Sequence, residues 1–116
     1  MVFELEERTF QFALRVRKFC RSLNQDRINL VDIIQLVRAS GSIGSNYLEA
    51  NENLGKGDKR MHLRISRKEA KEASFWLRLL FIERDNTVLE NERYALIDEA
   101  NQFRKIFSAI LEKLPN

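Results

Sequence analysis

This sequence is poor in the residues that interrupt helices or crosslink chains. Among its 116 residues, 1 is proline, at position 115, and 4 are glycine. Its single cysteine, Cys20, cannot form an internal disulfide, which suits a reducing cytoplasm. The scarcity of helix-breaking residues favours long helices, and the lack of a disulfide framework means that the fold depends on its hydrophobic core.

Long apolar runs are absent as well. No stretch approaches the ~20 residues that a membrane-spanning helix needs, and no basic segment followed by an apolar one opens the chain. We therefore expect neither a membrane partner nor an export signal. The length fits one domain over residues 1–116, and a content of 44% hydrophobic and 32% charged residues predicts a globular cytoplasmic protein.

Hydrophobic periodicity predicts four helices that are separated by short breaks. Their approximate ranges are residues 5–23, 28–51, 59–83 and 90–113. Residues 53–57 (NLGKG) are predicted to form a loop, after which Asp58 would cap the third helix. No stretch alternates as a strand would, so the predicted fold class is all-α, an antiparallel up-down four-helix bundle.

The apolar surface is broad for a bundle that stands alone. On the third helix, Leu77 belongs to the core stripe, whereas Phe75, Trp76 and Leu79 project to one side of it. A second apolar face usually meets another protein surface, which predicts a homo-oligomer. The alternative is a wide stripe that is covered by a neighbouring helix of the same chain.

The second helix carries an unusual run of small and polar residues at positions 38–50 (RASGSIGSNYLEA). A glycine costs a helix interior about 1 kcal/mol relative to alanine, so Gly41 and Gly44 need a packing or functional reason. Ser40 and Gly44 share a helix face, as do Gly41 and Ser45. Small side chains on one face predict a close contact with a neighbouring helix.

The polar residues of this run are interpreted as structural. Arg38 and Glu49 lie on a similar face, and we expect them to pair with charged residues of the third helix, because an uncompensated charge at a helix boundary is costly. The candidate partners are Glu69, Glu72 and Lys68. The predicted structural or interface set is Arg38, Ser40, Gly44, Asn46, Glu49 and Trp76.

Basic residues are clustered on two helices. On the third helix, four of them recur at helical spacing, and the first helix has no acid between Arg8 and Arg21. Such clustering in a chain with pI ≈ 9.2 predicts a polyanion-binding face. The candidate nucleic-acid contacts are Arg15, Lys18, Arg60, Arg64, Arg67 and Lys71. The alternative is an ordinary solvated helix face.

No catalytic constellation is found, so an enzyme is not expected. The sequence has no nucleophile elbow and no glycine-rich loop followed by a lysine. His62 has no second histidine or cysteine at ligand spacing, so we expect no metal site and no cofactor. Nor is there a motif for reading bases, whether a zinc finger, a homeodomain or a stacking motif for single strands.

Three ordered segments of the chain carry a family resemblance. They are residues 5–17 (LEERTFQFALRVR), residues 38–46 (RASGSIGSN) with Glu49 and Ala50, and residues 67–80 (RKEAKEASFWLRLL). Together they resemble the four helix bundle protein family. That family includes proteins encoded in intervening sequences of bacterial large-subunit ribosomal RNA genes and, more distantly, accessory proteins of diversity-generating retroelements.

The resemblance implies a homopentameric barrel of four-helix subunits with a basic surface. For the retroelement relatives it also implies binding to nucleic acid and to a reverse transcriptase. No defined activity comes with the intervening-sequence branch, which this chain resembles more. The resulting hypothesis is a non-enzymatic oligomeric scaffold that binds RNA or DNA without base-specific readout. The alternative is a protein-interaction module, such as an accessory subunit of a reverse transcriptase.

Overall fold

A computed structural model describes residues 2–52 and 55–115. It contains four helices, namely α1 (Val2–Arg21), α2 (Arg27–Ala50), α3 (Lys56–Leu79) and α4 (Thr87–Lys113). No strand is present in the described ranges. The predicted all-α fold with four helices is therefore confirmed.

Contacts between neighbouring helices show that the bundle is antiparallel. Arg8 of α1 contacts Glu99 of α4, and Arg15 contacts Glu92, so residue numbers rise on one helix as they fall on the other. The same inverse order relates α1 to α2, α2 to α3, and α3 to α4. These four pairs make up the packing of the described helices, which gives an up-down bundle of 49 × 22 × 19 Å.

One hydrophobic core runs through the bundle and draws on all four helices. Leu63 and Leu77 of α3 are fully buried, as the helical periodicity predicted. Phe12 of α1 meets Phe103 of α4 edge to face, with ring centroids 5.4 Å apart. Because every helix contributes side chains to this one cluster, each helix buries its apolar face only by packing against the others.

The third helix ends at Leu79, four residues before the predicted end at Glu83. At Leu80 the backbone turns to an extended conformation, with ψ of 137°. The buried carboxamide of Asn29, at the start of α2, then holds Phe81 by accepting from its N–H at 2.8 Å and donating to its carbonyl at 3.2 Å. This long-range pairing replaces the next helical turn, so periodicity alone could not place the end.

The start of the third helix also differs from the prediction. Gly55, with φ of 118°, occupies the N-cap position, and α3 begins at Lys56. Asp58 therefore lies inside the first turn and does not cap the helix. Of the predicted loop at 53–57, residues 53 and 54 lie outside the described residues, and Lys56 and Gly57 belong to α3.

Candidate nucleic-acid interface

An open groove of about 930 Å³ runs between α3 and α4. Six of the side chains that line it are basic and one is acidic. The lining residues are Arg64, Arg67, Lys68, Lys71, Asn101, Arg104, Lys105, Ser108, Ala109 and Glu112. We call this surface the α3/α4 groove.

Helical spacing on α3 and the antiparallel packing of α4 together form this groove. Arg64, Arg67 and Lys71 are separated by three and four residues, so they follow one side of α3. Arg67 reaches across to α4, where its Nη1 lies 3.4 Å from the hydroxyl oxygen of Ser108. One turn before Ser108, Arg104 continues the basic surface on the α4 side.

Most cations of the α3/α4 groove lack an acidic partner. Within residues 2–52 and 55–115, no carboxylate oxygen lies within 4.0 Å of the charged groups of Arg64, Arg67, Lys71, Arg104 or Lys105. Lys68 has a loose contact with Glu72 at 3.9 Å. The groove therefore keeps an excess of positive charge that is open to solvent, as expected for an anion-binding surface.

Other predicted contacts lie away from this groove. Arg15 forms a two-pronged ion pair with Glu92 of α4, with both N–O distances below 3 Å at 2.7 and 2.8 Å. Lys18 lines a separate groove of about 410 Å³ between α1 and α4, together with Arg8. Arg60 donates to the carbonyl of Pro115 at 2.8 Å. Of the six predicted contacts, only Arg64, Arg67 and Lys71 line the α3/α4 groove.

Sequence reasoning missed Arg104 and Lys105. The predicted basic clusters lie on the first and third helices, and the first half of the fourth helix is rich in acids such as Glu90, Glu92 and Glu99. Its second half reverses the sign, and Arg104 and Lys105 lie one turn from both Asn101 and Ser108. Counting the charges separately in the two halves of the fourth helix would have detected Arg104 and Lys105.

The small-residue run of α2 lies against α1. A Cβ atom added at Gly44 would be 2.8 Å from Oγ1 of Thr9 and 3.2 Å from its Cβ, which is closer than real side chains approach. One added at Gly41 would lie 3.3 Å from Nη2 of Arg17. Ser40 is fully buried, and its hydroxyl donates to the carbonyl of Val37 at 2.9 Å. Because Gly41 and Gly44 have no side chains, α1 and α2 can pack closely at these positions.

Arg38 joins α2 to α3. Its guanidinium donates to Glu69 at 3.1 Å and to Glu72 at 3.3 Å. The second oxygen of Glu69, Oε1, is buried and has no hydrogen-bond partner among the described residues. Glu49 is exposed and forms no ion pair with any residue in the described ranges, so the expected pairing is present for Arg38 alone.

Asn46 contacts α3 from α2, and Trp76 packs against the core from α3. The carboxamide oxygen of Asn46 lies 2.9 Å from Nδ1 of His62, and its nitrogen donates to the hydroxyl of Ser42 at 2.9 Å. Trp76 is partly buried and packs edge-on against Phe75 with ring centroids 5.2 Å apart. Of the predicted structural residues, Arg38, Gly44 and Asn46 thus contact a neighbouring helix, whereas the Trp76–Phe75 pair lies within α3 and Glu49 forms no ion pair among the described residues.

Cys20 is buried in α1. Loss of solvation raises the pKa of its thiol to about 11, despite the opposing influence of Arg17 and Arg21. Such a thiol is a poor nucleophile at neutral pH, since the thiolate is the reactive form. None of the described helices is long and apolar enough to cross a membrane.

Comparison with known proteins gives a structural match and a family match for this chain. A crystal structure of "a protein with unknown function from S23 ribosomal protein family" from Bacteroides thetaiotaomicron VPI-5482 matches with a TM-score of 0.81 and 24% identity. The match covers 97% of this chain and 100% of that one, and at this identity it supports the fold. No curated protein matches the chain. The family model described as 23S rRNA-intervening sequence protein matches residues 3–109. Because that match spans nearly the whole sequence, the chain belongs to the 23S rRNA-intervening sequence protein family.

Proposed function

We propose that this protein is a non-enzymatic, cytoplasmic homo-oligomeric scaffold that binds RNA or DNA through its basic surface without reading base sequence. The observation that carries the proposal is the α3/α4 groove, in which six basic side chains face one acidic one. Cations in such an arrangement bind phosphates and release counterions, which gives affinity that falls steeply with salt.

The oligomeric part of the proposal is supported by an exposed apolar surface on α1 and α2. Phe10 and Leu14 of α1 are 57% and 46% exposed, and Ile34 and Leu48 of α2 are 58% and 50% exposed. A groove of about 350 Å³ lined by Phe10, Leu14, Leu48 and the two helix glycines lies on the same side. Apolar surface of this kind is typical of subunit contacts. The family resemblance suggests five subunits.

The same apolar surface favours a second candidate. It would serve equally as a docking face for a different protein, such as a reverse transcriptase, with nucleic-acid contact secondary. The two candidates use different surfaces, since the apolar side chains named above lie on α1 and α2 and the cations of the α3/α4 groove lie on α3 and α4. The exposed Phe75 and Leu79 of α3 lie outside that groove. A charge change confined to α3 therefore distinguishes them.

The test is a binding titration with structured RNA and duplex DNA across a salt series, with the oligomer mass measured by light scattering in the same buffer. The wild-type oligomer should bind both ligands, with affinity that weakens steeply as salt rises. The double variant Arg64→Glu/Arg67→Glu should abolish binding and leave the mass unchanged. Absence of wild-type binding at low salt would overturn the nucleic-acid proposal, and a pure monomer would overturn the oligomeric one.

A further inference from the structure

The α3/α4 groove has two basic sides. Arg64, Arg67, Lys68 and Lys71 come from α3, and Arg104 and Lys105 come from α4. Packed antiparallel helices have axes about 8–10 Å apart, so long basic side chains from both can reach a single phosphate row lying between them. Arg67 and Arg104 are half-buried at the base of the groove, while Arg64, Lys71 and Lys105 are exposed at its rim.

No aromatic side chain lines the α3/α4 groove. Besides its charged residues, the lining consists of the carboxamide of Asn101, the hydroxyl of Ser108 and the methyl group of Ala109. Proteins that hold single strands without sequence preference combine a basic groove with aromatic side chains on which the bases stack. This groove offers partners for the phosphates and sugars and no stacking surface for bases.

Phe75 is the exposed aromatic residue that follows the basic side of α3, one turn beyond Lys71. It lies outside the groove lining, and its ring packs edge-on against that of Trp76. If the protein bound a single strand, a base extending beyond the groove could stack on the ring of Phe75. Substitution of Phe75 therefore distinguishes a protein that binds single strands from one that binds duplexes.

We infer that the α3/α4 groove seats one sugar–phosphate backbone of a double helix, held between Arg67 on α3 and Arg104 on α4, with the bases facing away. The inference rests on the proposed nucleic-acid binding and adds a ligand class and two contact residues on α4, Arg104 and Lys105. A duplex suits such a groove because its charge density is high, about one charge per 1.7 Å of axis, and its bases are already stacked on each other. A single strand would find no aromatic side chain in this groove on which to stack its bases.

The experiment measures fluorescence anisotropy with a 20-base-pair duplex DNA and an unstructured single strand of the same length, over a salt series. The wild-type oligomer should bind the duplex at least tenfold more tightly than the single strand at each salt concentration. Arg104→Gln/Lys105→Gln should weaken duplex binding about tenfold or more and reduce the salt slope by about 1.8, at ~0.9 for each lost phosphate contact. Phe75→Ala should leave duplex binding unchanged.

The matched control is Arg21→Gln/Arg84→Gln, which removes the same charge from exposed positions outside the groove. A loss of duplex binding equal to that of the groove variant would overturn the assignment of Arg104 and Lys105. Tighter binding of the single strand, reduced by Phe75→Ala, would overturn the duplex inference while leaving the proposed function in place. Failure to bind either ligand would overturn both. Circular dichroism establishes that each variant is folded.

Discussion

The fourth helix takes part in two grooves whose basic residues are paired with acids to different extents. Toward α1, its acids meet basic residues: Glu99 binds the guanidinium of Arg8 through two contacts of 2.8 and 2.7 Å, and Glu92 binds Arg15 in the same way. Toward α3, Arg104 and Lys105 meet further basic residues and have no acidic partner in the described part of the chain. Two of the three cations that line the α1/α4 groove are paired with acids, whereas most cations of the α3/α4 groove have no acidic partner among the described residues.

This contrast shows why a count of charges along a helix does not identify a binding surface. The first helix carries five basic residues between positions 8 and 21 without an acid among them, so by charge alone it is a candidate polyanion binder beside the third helix. In the bundle, two of those five are occupied by acids from α4. The surface that stays basic is the one where cations of two helices face the same solvent-filled groove.

The first test, with the largest expected effect, disturbs the close contact of α1 with α2. It asks whether the α3/α4 groove depends on the position of α1. Gly44→Ala would place a Cβ atom 2.8 Å from Thr9, next to Arg8, and shift α1. We expect unfolding free energy to fall by roughly 2–3 kcal/mol because the packed helices must separate. Urea denaturation measures this change. Duplex binding by the folded variant should persist, since the α3/α4 groove contains no residue of α1.

Gly57→Ala is the matched control for that variant. Gly57 lies in the first turn of α3, and a Cβ atom there would meet nothing within 4 Å. The same substitution should leave stability unchanged or raise it by about 0.5–1 kcal/mol. Equal destabilisation by both variants would contradict the close approach at Thr9, and loss of binding in folded Gly44→Ala would show that α1 supports the basic groove.

Arg93 provides the second test, because it is an arginine of the α3/α4 boundary that serves structure instead of binding. Its Nη1 donates to the carbonyls of Leu77 and Leu80 at the end of α3, and its Nε binds Glu90 at 2.8 Å. Arg93→Met should lower the unfolding free energy by about 2 kcal/mol, since charge-assisted hydrogen bonds to the last carbonyls are lost. Thermal denaturation measures the loss.

Exposed Arg84 supplies the comparison for that variant. Arg84→Met removes the same charge from the loop before α4 and should change stability by less than about 0.5 kcal/mol. Both variants should retain duplex binding, because neither residue lines the α3/α4 groove. An unchanged melting temperature for Arg93→Met would mean that its hydrogen bonds do not hold the end of α3.

The third test removes the acids that pair with two cations of the α1/α4 groove. Glu92→Gln/Glu99→Gln keeps side-chain size and releases Arg15 and Arg8 from their carboxylate partners. Duplex affinity should rise about fivefold, roughly 1 kcal/mol, and the salt slope should become steeper. Stability should change by no more than about 1 kcal/mol for each pair, as exposed ion pairs contribute little. Anisotropy titrations measure the affinity.

A charge-matched control is Glu49→Gln/Glu83→Gln, at two exposed residues without ion pairs in the described ranges. It adds the same net positive charge without releasing an arginine, so its effect on affinity should be smaller. If both double variants raised the affinity equally, overall charge would govern binding, and the distinction between the two grooves would have no functional meaning.

The fold was largely predictable from the sequence, whereas the candidate site was predictable only in part. Helical periodicity located four helices and the buried position of Leu77, because the apolar side chains repeat at the helical period. Helical spacing also indicated Arg64 and Arg67 as candidate nucleic-acid contacts. It could not locate the end of α3, since that end depends on the carboxamide of Asn29, fifty-two positions away from Phe81.

By itself, then, the sequence determined the number of helices, core positions such as Leu77, and the presence of a glycine-containing face on α2. These are local properties, since they follow from the period of one helix and from the size of its side chains. Only the tertiary structure decided which basic residues are neutralised. That outcome depends on which helices become neighbours and in what direction they run: antiparallel packing brings Glu92 and Glu99 to the arginines of α1, and Arg104 and Lys105 to the basic side of α3.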